Sequence, residues 1–152
     1  MAFFTPYWRS THQGSTGYAH VFGKKGSVFM ARNGVDKKRI LLVDDEQPIR
    51  NIVKVVLGQS NHVIVEARNG IEALALFQQG EFDLVITDLD MPEMPGDQLM
   101  VKIKDLAPSQ LIILMTAHRG SLPGMEKLPN VILDKPFPLD TLRAAVTTLL
   151  AS

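Results

Sequence analysis

The chain has 152 residues, 45% of them apolar, with 16 basic side chains, 16 acidic ones and no cysteine. That length accommodates one ordinary domain and little more, and the apolar share is that of a globular protein with a packed core. Disulfides, thiolate catalysis and cysteine-ligated metal sites are excluded, the balanced charge gives no sign of a direct nucleic-acid partner, and no apolar run approaches the roughly 20 residues of a membrane-spanning helix.

The balance hides an asymmetry. Residues 1–38 carry six Lys/Arg and a single acid, Asp36, whereas the remainder carries ten Lys/Arg against fifteen acids. In the same stretch Gly14, Gly17, Gly23, Gly26 and Gly34 punctuate Ser, Thr and Lys with no sustained period. The expectation is a disordered or weakly ordered leader over 1–38 and one domain over 39–152. A transit-like peptide is an alternative for a basic, acid-poor stretch, and Met30 is an alternative start.

From residue 39 the pattern becomes regular. Continuous apolar runs at 40–43, 62–65, 84–86, 111–115 and 131–133 have the length and β-branched content of strands covered on both faces. Between the first two, Ile49, Ile52, Val53, Val56 and Leu57 recur at helical spacing, with Gly58 as a stop. Ile71, Leu74, Ala75 and Phe77 form a second stripe closed by Gly80, and Leu99, Ile103 and Leu106 a third, capped by Asp97. Pro138 opens a last helix with Leu142, Val146, Leu149 and Leu150 on its apolar face. Gly120, Pro123, Gly124 and Pro129 leave room between the fourth and fifth strands only for a short or irregular helix. The predicted fold is α/β: a flavodoxin-like (βα)5 three-layer sandwich with a parallel five-stranded sheet of order 2-1-3-4-5.

In such a sheet, reactive groups collect at the carboxyl ends of the strands. Asp44 and Asp45 follow the first strand, Asp88 the third, Thr116 the fourth and Lys135 the fifth. Three carboxylates at one rim repel one another, and a divalent cation relieves that repulsion. All-oxygen ligands favour Mg2+ or Mn2+ over zinc. A carboxylate nucleophile with a metal, an ammonium and a hydroxyl beside it describes aspartyl-phosphate formation.

These residues resemble the receiver domains of bacterial response regulators. The matching pieces are Ile40-Leu41-Leu42-Val43-Asp44-Asp45-Glu46, then Asp88-Leu89-Asp90-Met91-Pro92 with Pro95-Gly96, then Met115-Thr116-Ala117, then Asp134-Lys135-Pro136-Phe137. They stand in family order and span about residues 39–150. The resemblance implies a stand-alone, CheY-like receiver in two-component phosphorelay signalling, with Asp88 as phosphoacceptor. Asp45 would bind the metal directly, Asp44 through water and Asp90 through its backbone carbonyl, while the Asp90 side chain would tune dephosphorylation. Thr116 would be the switch and Lys135 the phosphate partner. Ala117 would keep the approach to Asp88 open, and the Lys135–Pro136 bond would be cis. The phosphoryl donor would be a sensor histidine kinase or a histidine phosphotransfer protein, with a small acyl phosphate as substitute. With the last helix reaching Ser152, output would pass by docking to another protein through the fifth strand and last helix, or by onward relay. No nucleic acid or membrane is expected as a partner, the localisation expected is cytoplasmic, and the chain would be a monomer or weak homodimer. It would be a self-phosphorylating switch, not a turnover enzyme.

Two departures stand out. Ile132 occupies the position where receivers usually carry Tyr or Phe, so the usual aromatic rotation coupled to the threonine has no ordinary equivalent. The short 116–135 segment falls where the family builds its signalling surface.

Each signal has a plainer reading by itself: Asp44-Asp45 as a helix cap, Thr116 as a strand-end residue, Lys135 as a solvated charge, 88–97 as a turn. Two rival functions are a receiver fold used only as a phosphorylation-independent binding module, and a haloacid-dehalogenase-type phosphatase, which also phosphorylates the first Asp of an Asp-x-Asp motif. The second expects that motif on the first strand, with the acidic pair downstream. Here the pair lies upstream. The histidines at 12, 20, 62 and 118 lack metal-ligand spacing, and Met91, Met94, Met100, Met115 and Met125 read as packing.

Overall fold

The computed structural model describes residues 20–22, 28–30, 37–118 and 127–151. The chain divides into two compact units, Met1–Gly34 and Val35–Ser152. Within the first, β1 (His20–Phe22) pairs antiparallel with β2 (Val28–Met30). The expected leader otherwise lies outside the described residues.

The second unit runs β3 (Arg39–Val43), α1 (Gln47–Gly58), β4 (Val63–Ala67), α2 (Gly70–Gln79), β5 (Leu84–Asp88), α3 (Gly96–Leu106), β6 (Leu111–Thr116), β7 (Val131–Asp134) and α4 (Leu139–Leu150). The sheet order is β4-β3-β5-β6-β7, with every neighbouring pair parallel. This is the expected 2-1-3-4-5 arrangement. Residues 119–126, where the short or irregular helix was expected, lie outside the described residues.

Strand side chains alternate between two cores, which is why the runs are apolar throughout. Ile40 and Leu42 of β3, Ile86 of β5 and Ile113 of β6 pack with Val53, Val56, Leu57, Leu142 and Val146 of α1 and α4. Leu41, Val43, Val85 and Ile112 point the other way, against Ala73 of α2 and Leu99, Met100 and Ile103 of α3. Each buried Val, Leu, Ile or Met among them contributes about 1.5–3 kcal/mol.

The helix ends depart from the sequence reading in two places. Helix α1 does end at Gly58, but Gln59 caps it in right-handed helical geometry, and the left-handed residue is Asn61, with φ 59°. Asp97 is not the cap of α3: Pro95 holds that position, and the Asp97 carboxylate accepts instead from the Gln98 N–H at 2.8 Å. Helix α2 has the strongest local start. Asn69 accepts from the Glu72 N–H at 2.7 Å while Glu72 accepts from the Arg68 N–H at 2.9 Å, a reciprocal arrangement that satisfies two otherwise orphaned donors. Ile52, Ile71, Ala75 and Leu106, placed by period on apolar faces, are exposed; the face of α2 that packs runs through Gly70, Ala73, Leu74 and Phe77, which turns Ile71 and Ala75 away from it.

Candidate functional site

The carboxyl ends of β3, β5, β6 and β7 form one rim, and the polar residues predicted from their strand-end positions meet there. Asp44, Asp45 and Asp88 each offer a carboxylate oxygen, and the three oxygens lie within 4.8 Å of one another. Asp44 and Asp88 are buried; Asp45 is exposed. Lys135, one residue past β7, reaches over β6 to place its Nζ 3.0 Å from Asp88 Oδ1 and 3.2 Å from Asp44 Oδ2. The Lys135–Pro136 peptide is cis, as expected.

The backbone fixes these positions. The Asp44 N–H donates to Ala67 O, the Leu89 N–H to Met115 O, and the Lys135 N–H to Thr116 O at 2.7 Å. Gly96 is required where it stands, since a Cβ there would fall 2.0 Å from the backbone oxygen of Asp88. Its N–H donates to Leu89 O, folding the 89–95 loop back on the phosphoacceptor candidate.

Asp44 is not a cap within helix α1. Its Oδ1 accepts from the Glu46 N–H at 2.8 Å, while its Oδ2 faces Lys135. Thr116 is fully buried at the end of β6, and its Oγ1 accepts from the His118 N–H at 3.0 Å. The Asp90 carboxylate stands outside the acidic cluster, exposed and 4.0 Å from His118 Nδ1. That His118 proximity was missed in the sequence, because nothing in a 28-residue separation signals it.

The rim holds more negative charge than one ammonium neutralises. Burial pushes the Asp88 carboxyl up to about 6, against the pull of Lys135, with the Asp44 and Asp90 charges adding to the rise. Burial alone would depress the Lys135 ammonium, but the Asp88 and Asp44 carboxylates outweigh it and hold Lys135 above its ordinary value. A divalent cation fits this donor set: only oxygen ligands, clustered, with one carboxyl resisting ionisation for want of positive charge.

Sequence reasoning also missed Arg50. It is a buried arginine of α1 whose Nη1 donates to Asp44 O at 2.6 Å. Its helical spacing marked it as neither core nor site. Among the described residues no helix is long and apolar enough to cross a membrane.

Comparison with known proteins agrees with the fold. Residues 40–147 match the family model of the response regulator receiver domain. The chain is 36% identical over 120 residues to Histidine kinase P4 of Formosa agariphila, covering 76% of this chain but 9% of that protein. It is 30% identical over 119 residues to the chemotaxis protein CheY of Halobacterium salinarum, covering 76% of this chain and 98% of CheY. The response regulator TrrA of Thermotoga maritima, solved in complex with Mg(2+)-BeF, superposes with a TM-score of 0.68 at 37% identity, over 74% of this chain and 98% of that one. The chain therefore belongs to the response regulator receiver domain family.

Proposed function

We propose that this receiver accepts a phosphoryl group on Asp88 from a sensor histidine kinase or histidine phosphotransfer protein, and signals by binding another protein in its phosphorylated form. The observation that carries this reading is the convergence of Asp88 with Asp44, Asp45 and Lys135 at one strand rim. An ionised Asp88 oxygen attacks phosphorus, and a new O–P bond forms as the P–N bond to the donor imidazole breaks. The imidazole departs with the electron pair. Lys135 neutralises charge on the phosphoryl oxygens, and the Thr116 hydroxyl leaves the His118 N–H to bond a phosphoryl oxygen.

Asp45, Asp88, the Asp90 backbone carbonyl and, through water, Asp44 would hold Mg2+ or Mn2+. When bound, the ion supplies positive charge that favours ionised Asp88 and offsets the charge of the phosphoryl group. That TrrA was solved with Mg(2+)-BeF supports the assignment. On this reading Ala117, small and exposed, keeps the approach to Asp88 open, and the Asp90 side chain tunes hydrolysis of the phosphoaspartate. The receiver occupies 39–152, with 1–38 as a leader outside it. It acts in the cytoplasm as a switch, not a turnover enzyme, and docks its target through β7 and α4.

Borohydride reduction of the phosphorylated protein converts an aspartyl phosphate to homoserine. Peptide mapping is expected to find homoserine at position 88; homoserine at another acid would refute the assignment.

A further inference from the structure

We propose that Arg50 is a positioning residue for the acidic rim: by clamping the carbonyl of Asp44 to β4, it fixes the direction in which Asp45 presents its carboxylate. The inference rests on the reading of Asp44, Asp45 and Asp88 as a divalent-cation site.

Arginine is rarely buried unless its donors are matched. Arg50 is 8% exposed and uses its fork on three different partners. Nη1 donates to Asp44 O at 2.6 Å, Nε to Glu66 Oε2 at 3.3 Å, and Nη2 to Gln47 Oε1. These partners lie on separate segments: the β3–α1 connection, strand β4 and the first turn of α1. One planar guanidinium therefore ties the acidic connection to a strand and a helix that are held by the core.

The carbonyl it grips belongs to the peptide unit joining Asp44 to Asp45. On the other side of Asp44, its N–H donates to Ala67 O at 3.2 Å, also on β4. With both ends of Asp44 fixed, the plane of the next peptide is fixed, and with it the position of the Asp45 Cα and the N–Cα axis about which its Cβ turns. Among the described residues no side chain or backbone group holds the exposed Asp45 carboxylate itself, so where it can reach depends on the backbone that carries it. Glu66 in turn is kept ionised. The hydrogen bond from Lys54 depresses its pKa most, against the opposing effect of burial, and Arg50 adds to the depression.

Outer partners that orient ligands typically change metal affinity by about 10–100-fold when removed. Lysine cannot reproduce the fork, because it carries one point charge on a flexible stem. Lys54 supplies the control: it pairs with the same Glu66 but makes no contact at Asp44.

The test is calorimetric titration of the full chain with Mg2+ alone, on wild type, Arg50→Met, Arg50→Lys and Lys54→Met, each checked for folding. Arg50→Met is expected to bind Mg2+ about 10–100-fold more weakly, Arg50→Lys to recover part of the loss, and Lys54→Met to match wild type. In metal-free protein the Asp45 amide resonance is expected to move in Arg50→Met and stay in place in Lys54→Met. Wild-type Mg2+ affinity in folded Arg50→Met, or an equal loss in Lys54→Met, overturns the proposal. If Arg50→Met does not fold, wild-type affinity in Arg50→Lys overturns it. A wild-type chain that binds no Mg2+ overturns the cation reading itself, and this inference with it.

Discussion

Lys135 and Asp88 are joined at 3.0 Å across an intervening strand. Lys135 follows β7 and Asp88 ends β5, with β6 between them, so the pair exists only if all three strands hold their register. The contact that makes the site chemical is thus also a readout of correct folding. Removing the ammonium leaves the buried carboxylates without their counter-charge. Lys135→Met is therefore expected to push the Asp88 carboxyl above its present value of about 6 and to slow phosphorylation by about 10²-fold. Carboxyl 13C titration checks the first, and the rate of labelling by acetyl phosphate checks the second.

Asp88 is held at a cost. Its carboxyl sits at about 6 in the fold against an ordinary 3.8. The native state therefore binds this proton more tightly than the unfolded chain does. The stabilising contribution is fully present below 3.8 and is lost as pH rises through about 6. Asp88→Asn, neutral at every pH, is expected to be more stable than wild type by about 1–3 kcal/mol near pH 8 without metal. That advantage should shrink towards zero near about pH 4. Urea denaturation with chelator across this range measures it, and a variant less stable than wild type near pH 8 would count against the charge crowding.

Gly96 and Gly58 make opposite predictions. A methyl at Gly96 would strike the Asp88 backbone oxygen, whereas Gly58 has nothing within 4 Å of the same added atom. Gly96→Ala is expected to destabilise by more than about 2 kcal/mol and to impair phosphorylation. Gly58→Ala, at the last residue of α1 where no positive φ opposes a side chain, is expected to stabilise by about 0.4–1 kcal/mol. Thermal denaturation of both variants tests the contrast.

The strands and their order were legible because a doubly covered parallel sheet writes itself as continuous apolar runs, as at 40–43 and 111–115. The rim residues were legible because topology brings strand ends together whatever lies between them. What sequence hid depends on side-chain reach. Arg50 reads as the polar neighbour of Ile49, yet its length lets it cross to Asp44 and Glu66. His118 meets Asp90 only through the spacing of β5 and β6. Asp97 looks like a cap, but Pro95 holds the cap position and Asp97 stands two residues later, inside the first turn, where its carboxylate accepts from the Gln98 N–H.

The most direct measurement is intact mass after incubation with acetyl phosphate and Mg2+, for wild type, Asp88→Asn, and wild type with excess chelator. One phosphoryl group on wild type, none on Asp88→Asn and none with chelator is the expected result. No gain on folded wild type would contradict the account and favour a receiver fold that binds its partner without phosphorylation.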